Sequence, residues 1–128
     1  MTVPMPSFDT PALGPQLAAM SDAELDAVDF GVIAFDMDTM VCRYNKVESN
    51  AAGLSPQRVL QQPFFTNVAP CMNNFMVAQR FDDALEDGSA LDVTIDYVLT
   101  LRMRPVKVAL RLIADPGAAV RYVLVRRQ

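Results

Sequence analysis

The chain has 128 residues, 52% of them hydrophobic and 20% charged, enough apolar material to fill one core and too much for a disordered chain. A net charge of −4 argues against nucleic acid as a main partner. No apolar run reaches the roughly 18–20 residues of a membrane span, and no Lys or Arg precedes Arg43 to begin a secretory signal, so a cytoplasmic protein without membrane contact is expected.

Residues 1–15 hold Pro4, Pro6, Pro11, Pro15 and Gly14 and read as an irregular lead-in. A short helix is predicted over residues 16–20. A second begins at Ser21, where Glu24 completes an S-x-x-E capping box. Residues 30–36 then read as a buried strand, Asp38-Thr39 as a turn and residues 40–45 as the hairpin partner. Short helical pieces in an irregular stretch are expected up to Cys71, one of them started by Ser55-Pro56.

The spacing of Val77, Ala78, Phe81, Ala84 and Leu85 predicts a helix over residues 74–87, stopped by Gly88. Three strands follow. Leu91 to Leu101 and Val106 to Leu112 alternate apolar with mostly polar residues, and after the Asp115-Pro116-Gly117 turn Val120, Tyr122 and Leu124 alternate with Arg121, Val123 and Val125. The pattern predicts an α+β domain with a five-stranded antiparallel sheet.

The chain contains no histidine, which removes Ser-His-Asp and Cys-His nucleophilic pairs and the commonest metal ligand. It has no Cys-x-x-Cys, Walker loop or G-x-G-x-x-G either, so an enzyme or a metal protein is not expected. Cys42 and Cys71 are too few for a disulfide framework. Cys71 follows Asn67-Val68-Ala69-Pro70 just ahead of the predicted long helix, a position that favours a reactive thiol, although most free cysteines are simply packed. Tyr44 and Glu48 stand four residues apart, so a helical turn would align them, either toward solvent or as a buried polar pair needing partners. Residues 1–42 hold seven acids and no base, whereas the last strands are basic, which predicts an acidic N-terminal segment lying on a basic sheet.

Arg43-Tyr44-Asn45-x-x-Glu48, the Pro56 helix, Phe64-Phe65 and Val68-Ala69-Pro70-Cys71 together resemble the chromophore-binding half of the photoactive yellow proteins. Ser21-Asp22-x-x-Leu25-Asp26, Phe30-Gly31-x-Ile33, Asp96-Tyr97, Pro105-x-Lys107-Val108 and Val123-x-Val125-Arg126-Arg127 extend the likeness over residues 20–128. The resemblance implies a PAS fold and a 4-hydroxycinnamoyl (p-coumaroyl) chromophore held by a thioester to Cys71. It implies that Tyr44 and a neutral Glu48 donate to the phenolate, with Ile33, Ala52, Leu54, Phe64, Val68, Ala69 and Pro70 lining the site.

Ala52 and Leu54 stand where the family has a threonine and an arginine. An insertion of about two residues before Pro105 leaves Leu99 and Met103 as alternative chromophore neighbours. The expectation is one photosensory domain over residues 1–128, with 1–29 a cap and 30–128 the core. It acts as a blue-light receptor that isomerises, moves a proton and loosens its N-terminal region toward an unidentified signalling partner. The alternatives are a PAS-type interaction or small-ligand module without chromophore, and a thiol sensor using Cys42 with Cys71.

Overall fold

The computed structural model describes residues 5–100 and 105–127. Five antiparallel strands form one sheet in the order β2-β1-β5-β4-β3. They are β1 (Gly31–Phe35), β2 (Val41–Tyr44), β3 (Leu91–Leu99), β4 (Val106–Ala114) and β5 (Arg121–Arg127). The α+β class and the strand count agree with the sequence reading. Residues 101–104, which include Leu101 and Met103, lie outside the described residues, as does Pro4. The first and last strands pair at the centre, with Gly31 opposite Val125 and Phe35 opposite Arg121.

Because successive strand side chains point to opposite faces, the sheet carries two cores. The inner face sets Ile33, Phe35, Tyr44, Leu110, Leu112, Val123 and Val125 against Phe64, Phe65, Met72 and Phe81 of the intervening segment. The outer face sets Val32, Ala34, Ala109, Ile113, Tyr122 and Leu124 against Phe8, Leu13, Leu17, Leu25 and Val28 of the N-terminal segment. The apolar–polar alternation of β4 therefore does not mean a wet face. Every residue from Val108 to Ala114 is buried, and the Arg111 guanidinium is consumed by Asp92 (2.8 Å to each oxygen) and by the carbonyls of Phe8 and Thr10.

Helix α1 (Leu13–Ala19) begins earlier than predicted, inside the stretch read as irregular. Pro15 falls in its first turn, where a missing amide loses no helical bond. Helix α2 (Asp22–Ala27) carries the predicted capping box, Ser21 N–H to Glu24 Oε1 at 2.9 Å and Glu24 N–H to Ser21 Oγ at 3.2 Å. Helices α3 (Lys46–Ala52) and α4 (Pro56–Val59) follow, then a π-turn over Phe64–Val68 and a 3-10 turn over Pro70–Met72.

Helix α5 spans Ala78–Asp87, four residues shorter at its start than the apolar spacing predicts. The Asn74 side-chain oxygen accepts the amides of Met76 and Val77 at 3.0 and 3.2 Å, and this local turn replaces the first helical turn. Gly88, at φ 64, ends α5 as expected. Leu85, assigned by its spacing to the buried face, is 51% exposed.

Candidate functional site

Cys71 lies in the Pro70–Met72 turn, half-buried against the inner core. With α5 starting at Ala78, it is too far from that helix's N-terminus to feel its dipole, which fades within one turn. The expectation of a thiol set just ahead of the long helix is corrected by the Asn74 turn. Position is fixed another way: the Cys71 carbonyl accepts from Asn74 Nδ2 at 3.1 Å and from the Tyr97 hydroxyl, and Asn74 also donates to that hydroxyl at 2.6 Å. Cys71 borders an open groove of about 660 Å³ whose described lining includes Met76, Tyr97, Val98, Lys107 and Val108; neither Tyr44 nor Glu48 is among its lining residues.

Tyr44 and Glu48 do not share a helical turn. Tyr44 ends β2, opposite Ile33 of β1, whereas Glu48 sits in the first turn of α3. Both are nonetheless buried, Tyr44 at 8% and Glu48 at 2% exposure. Burial, and next the charge of Glu48, push the Tyr44 hydroxyl well above the ordinary tyrosine range, so it remains a donor.

Glu48 does not stand alone in the core: Arg127 Nη1 and Nη2 donate to its two oxygens at 2.7 and 3.1 Å, the two-point geometry of an arginine fork. The bond to Glu48 in turn holds the Arg127 guanidinium above its ordinary range. A Cβ at Gly31 would collide with Glu48 Oε1, so any larger residue there would displace the Glu48 carboxyl.

Asn45 between them is a residue whose role sequence reasoning missed. It is 2% exposed, and its side chain makes four hydrogen bonds. Its oxygen accepts the Val32 and Glu48 amides at 2.9 and 3.1 Å, and its nitrogen donates to the Leu25 and Phe30 carbonyls at 2.9 and 3.0 Å. An Asn ahead of a helical segment signals a cap; its reach to α2 is invisible in the linear chain.

The remaining predicted site residues divide. Ile33, Phe64, Val68 and Ala69 are buried in the inner core, with Leu54 packed against it. Ala52 is half-buried, and Leu99 is buried on the inner face. Pro70 is exposed and begins the Pro70–Met72 turn that holds Cys71. Met103 lies outside the described residues. Cys42 packs against the outer core and Cys71 against the inner one, so the sheet separates them and a Cys42–Cys71 thiol pair is excluded by geometry.

No protein-family model matches the chain. The photoactive yellow protein of Rhodothalassium salexigens is 33% identical over 96 residues, 75% of this chain and 76% of that protein. The chain belongs to the photoactive yellow protein family.

The photoactive yellow protein domain of a sensor histidine kinase from Rhodospirillum centenum superposes with a TM-score of 0.80 at 36% identity, covering 88% of this chain and 97% of that one. A PAS domain from Colwellia psychrerythraea, only 14% identical, superposes with a TM-score of 0.63 over 89% of this chain and 95% of its own, so the fold is PAS. Among the described residues no helix is long and apolar enough to cross a membrane.

Proposed function

We propose that this chain is a blue-light photoreceptor carrying a 4-hydroxycinnamoyl group as a thioester on Cys71. The observation that carries the reading is Cys71, half-buried beside an open groove of about 660 Å³ with its backbone carbonyl fixed by Asn74 and Tyr97, in a member of the photoactive yellow protein family. The donor set fits the group: a thiol for the acyl carbon, and a buried tyrosine, carboxyl and guanidinium for a phenolate.

When bound, the group supplies visible absorption and trans–cis isomerisation. Cys71 Sγ holds its acyl carbon. Tyr44 keeps its proton and donates a hydrogen bond to the buried phenolate, because burial opposes ionisation of the tyrosine. Glu48 in its protonated form is the second donor and, after light, the source of the moving proton. Loss of that proton changes the pairing of Glu48 with the Arg127 guanidinium 2.7 Å away, and this change of charge in a buried corner drives rearrangement. Asn45 ties the Glu48 amide to the end of α2, so the strain reaches the N-terminal segment.

In this reading residues 1–29 form a cap and residues 30–128 a PAS core. The whole is one cytoplasmic photosensory domain whose output goes to a signalling protein or a fused output module. Expression with activated 4-hydroxycinnamate, followed by mass and visible spectra, tests the assignment. A mass increase confined to the peptide carrying Cys71 together with a visible band is expected. An unmodified Cys71 in a folded protein would overturn it and leave a PAS module without chromophore.

A further inference from the structure

Two arginines are buried, Arg111 at 6% and Arg121 at 4% exposure, and their charges are met differently. Arg111 ends on the Asp92 carboxylate and on two carbonyls. No described residue forms an ion pair with Arg121. Its Nη2 donates to the Asp36 carbonyl at 2.9 Å, and its Nε is buried with no hydrogen-bond partner among the described residues. The guanidinium lies over the Phe35 ring at 4.7 Å and near the Phe81 ring at 5.9 Å, contacts that shield the charge from water without neutralising it.

The neighbouring carboxylates do not supply the missing charge. Asp36 Oδ1 accepts the amides of Asp38 and Met40 at 2.9 and 3.0 Å. Asp82 is exposed on α5. The Asp115 carboxylate lies against Gly14 of α1, on the other side of the sheet. Burial therefore holds the Arg121 guanidinium below its ordinary range, offset only in part by the charges of Asp82 and Asp36. An arginine keeps its proton even so, and a buried cation without a partner is costly.

Arg121 lines a pocket of about 370 Å³, open on one side, between the C-terminal end of α5 and the turn joining β4 to β5. The rest of the lining is largely apolar: Phe81, Ala84 and Leu85 of α5, Met37 of the β1–β2 turn, and Pro116. Met37 and Leu85 are 45% and 51% exposed here. Apolar walls around one charged group are the makeup of a small-molecule site. Cys71, Tyr44 and Glu48 are not among the lining residues.

We propose that this pocket binds a small organic anion, a carboxylate on a compact apolar body, with Arg121 as its counter-ion. The carboxylate takes guanidinium donors that the protein leaves open, and the apolar body covers Met37 and Leu85. A neutral or cationic ligand leaves Arg121 unpaired, and a phosphate sets its extra charge against apolar walls. The site is separate from the Cys71 thiol, so it does not depend on chromophore attachment.

Titration of the full chain with sodium benzoate, followed by calorimetry and by NMR shifts at Ala84 and Leu85, tests the proposal. Benzoate should bind saturably at one site and raise the thermal midpoint. Benzyl alcohol, similar in shape but uncharged, should bind about tenfold more weakly or worse. Arg121→Met, which keeps bulk over Phe35 without the charge, should abolish binding. Leu85→Asp places a like charge at the exposed mouth and should weaken benzoate about tenfold, a check that holds should the methionine variant not fold. Absence of saturable binding, equal binding of benzyl alcohol, or undiminished binding in either variant would overturn the proposal. Complete displacement of benzoate by chloride at physiological ionic strength would overturn it too, reducing the pocket to a position for an inorganic ion.

Discussion

Cys42 and Cys71 are both half-buried, yet they face opposite cores of one sheet and differ in what surrounds them. Burial first, then the charge of Asp36, pushes the Cys42 thiol up, which suits a packed and inert side chain. Cys71→Ala should therefore give colourless protein after chromophore loading while Cys42→Ala stays yellow, read from visible spectra; the opposite result would move the attachment site. Tyr44 gives a pH prediction. Its folded hydroxyl is raised above the unfolded value by burial and by Glu48, so the stabilisation is complete below the unfolded value near pH 10 and is lost as pH rises beyond it. Alkaline unfolding of the chromophore-free protein should begin above about pH 10 and move to higher pH in Tyr44→Phe. Tyrosine absorbance followed with circular dichroism checks this, and an unmoved transition in Tyr44→Phe would assign it to another group.

At the scale of elements, junctions are built by single polar side chains. Arg43 donates to the carbonyls of Leu17 and Met20 at 3.0 and 2.6 Å, satisfying the otherwise open C-terminal end of α1, and pairs with Asp22 at 3.1 Å. Asn45 joins α2, β1 and α3 through four hydrogen bonds. Asn45→Ala leaves several of these groups buried without partners, at about 1–3 kcal/mol for each unsatisfied group. We expect a loss of roughly 2–4 kcal/mol in urea unfolding, larger than that of Asp22→Ala, whose exposed carboxylate contributes at most about 1 kcal/mol. Comparable losses in the two variants would mean that the Asn45 network has little weight. Gly31→Ala tests the neighbouring contact: a Cβ there displaces Glu48 Oε1, and the bound phenolate should then titrate at higher pH.

Across the whole molecule, the N-terminal segment covers the outer face of the sheet as charge asymmetry predicted, but charge is the smaller part. Asp9–Arg126 and Asp22–Arg43 involve exposed carboxylates and contribute about 0–1 kcal/mol each. Phe8, Leu13, Leu17, Leu25 and Val28 are each at most 3% exposed, and burial of such side chains contributes roughly 1.5–3 kcal/mol apiece. A segment held this firmly yields first where the site touches it, through Glu48, Asn45 and the Leu25 carbonyl. Light should raise hydrogen exchange in residues 5–29 above that of the sheet, most steeply in α2. Uniform exchange across the chain, or a response starting in α1, would show that Asn45 does not carry the signal. Leu17→Ala should raise exchange in the same segment in the dark, because truncating a fully buried leucine costs about 2–5 kcal/mol.

The sequence by itself determined the α+β class, the five strands, the capping box at Ser21 and the family, because strand alternation, caps and motif order are local and linear. It also singled out Cys71, Tyr44 and Glu48. Only the tertiary structure decided their surroundings. The shortened α5 follows from one Asn74 side chain competing with helical hydrogen bonds. The burial of both faces of β4 follows from a segment about a hundred residues away in the chain. The pairing of Glu48 with Arg127 arises because β1 and β5, the first and last strands, lie side by side and bring opposite ends of the chain to one corner. A residue's charge partner is set by such non-local pairing, which spacing along the chain does not encode.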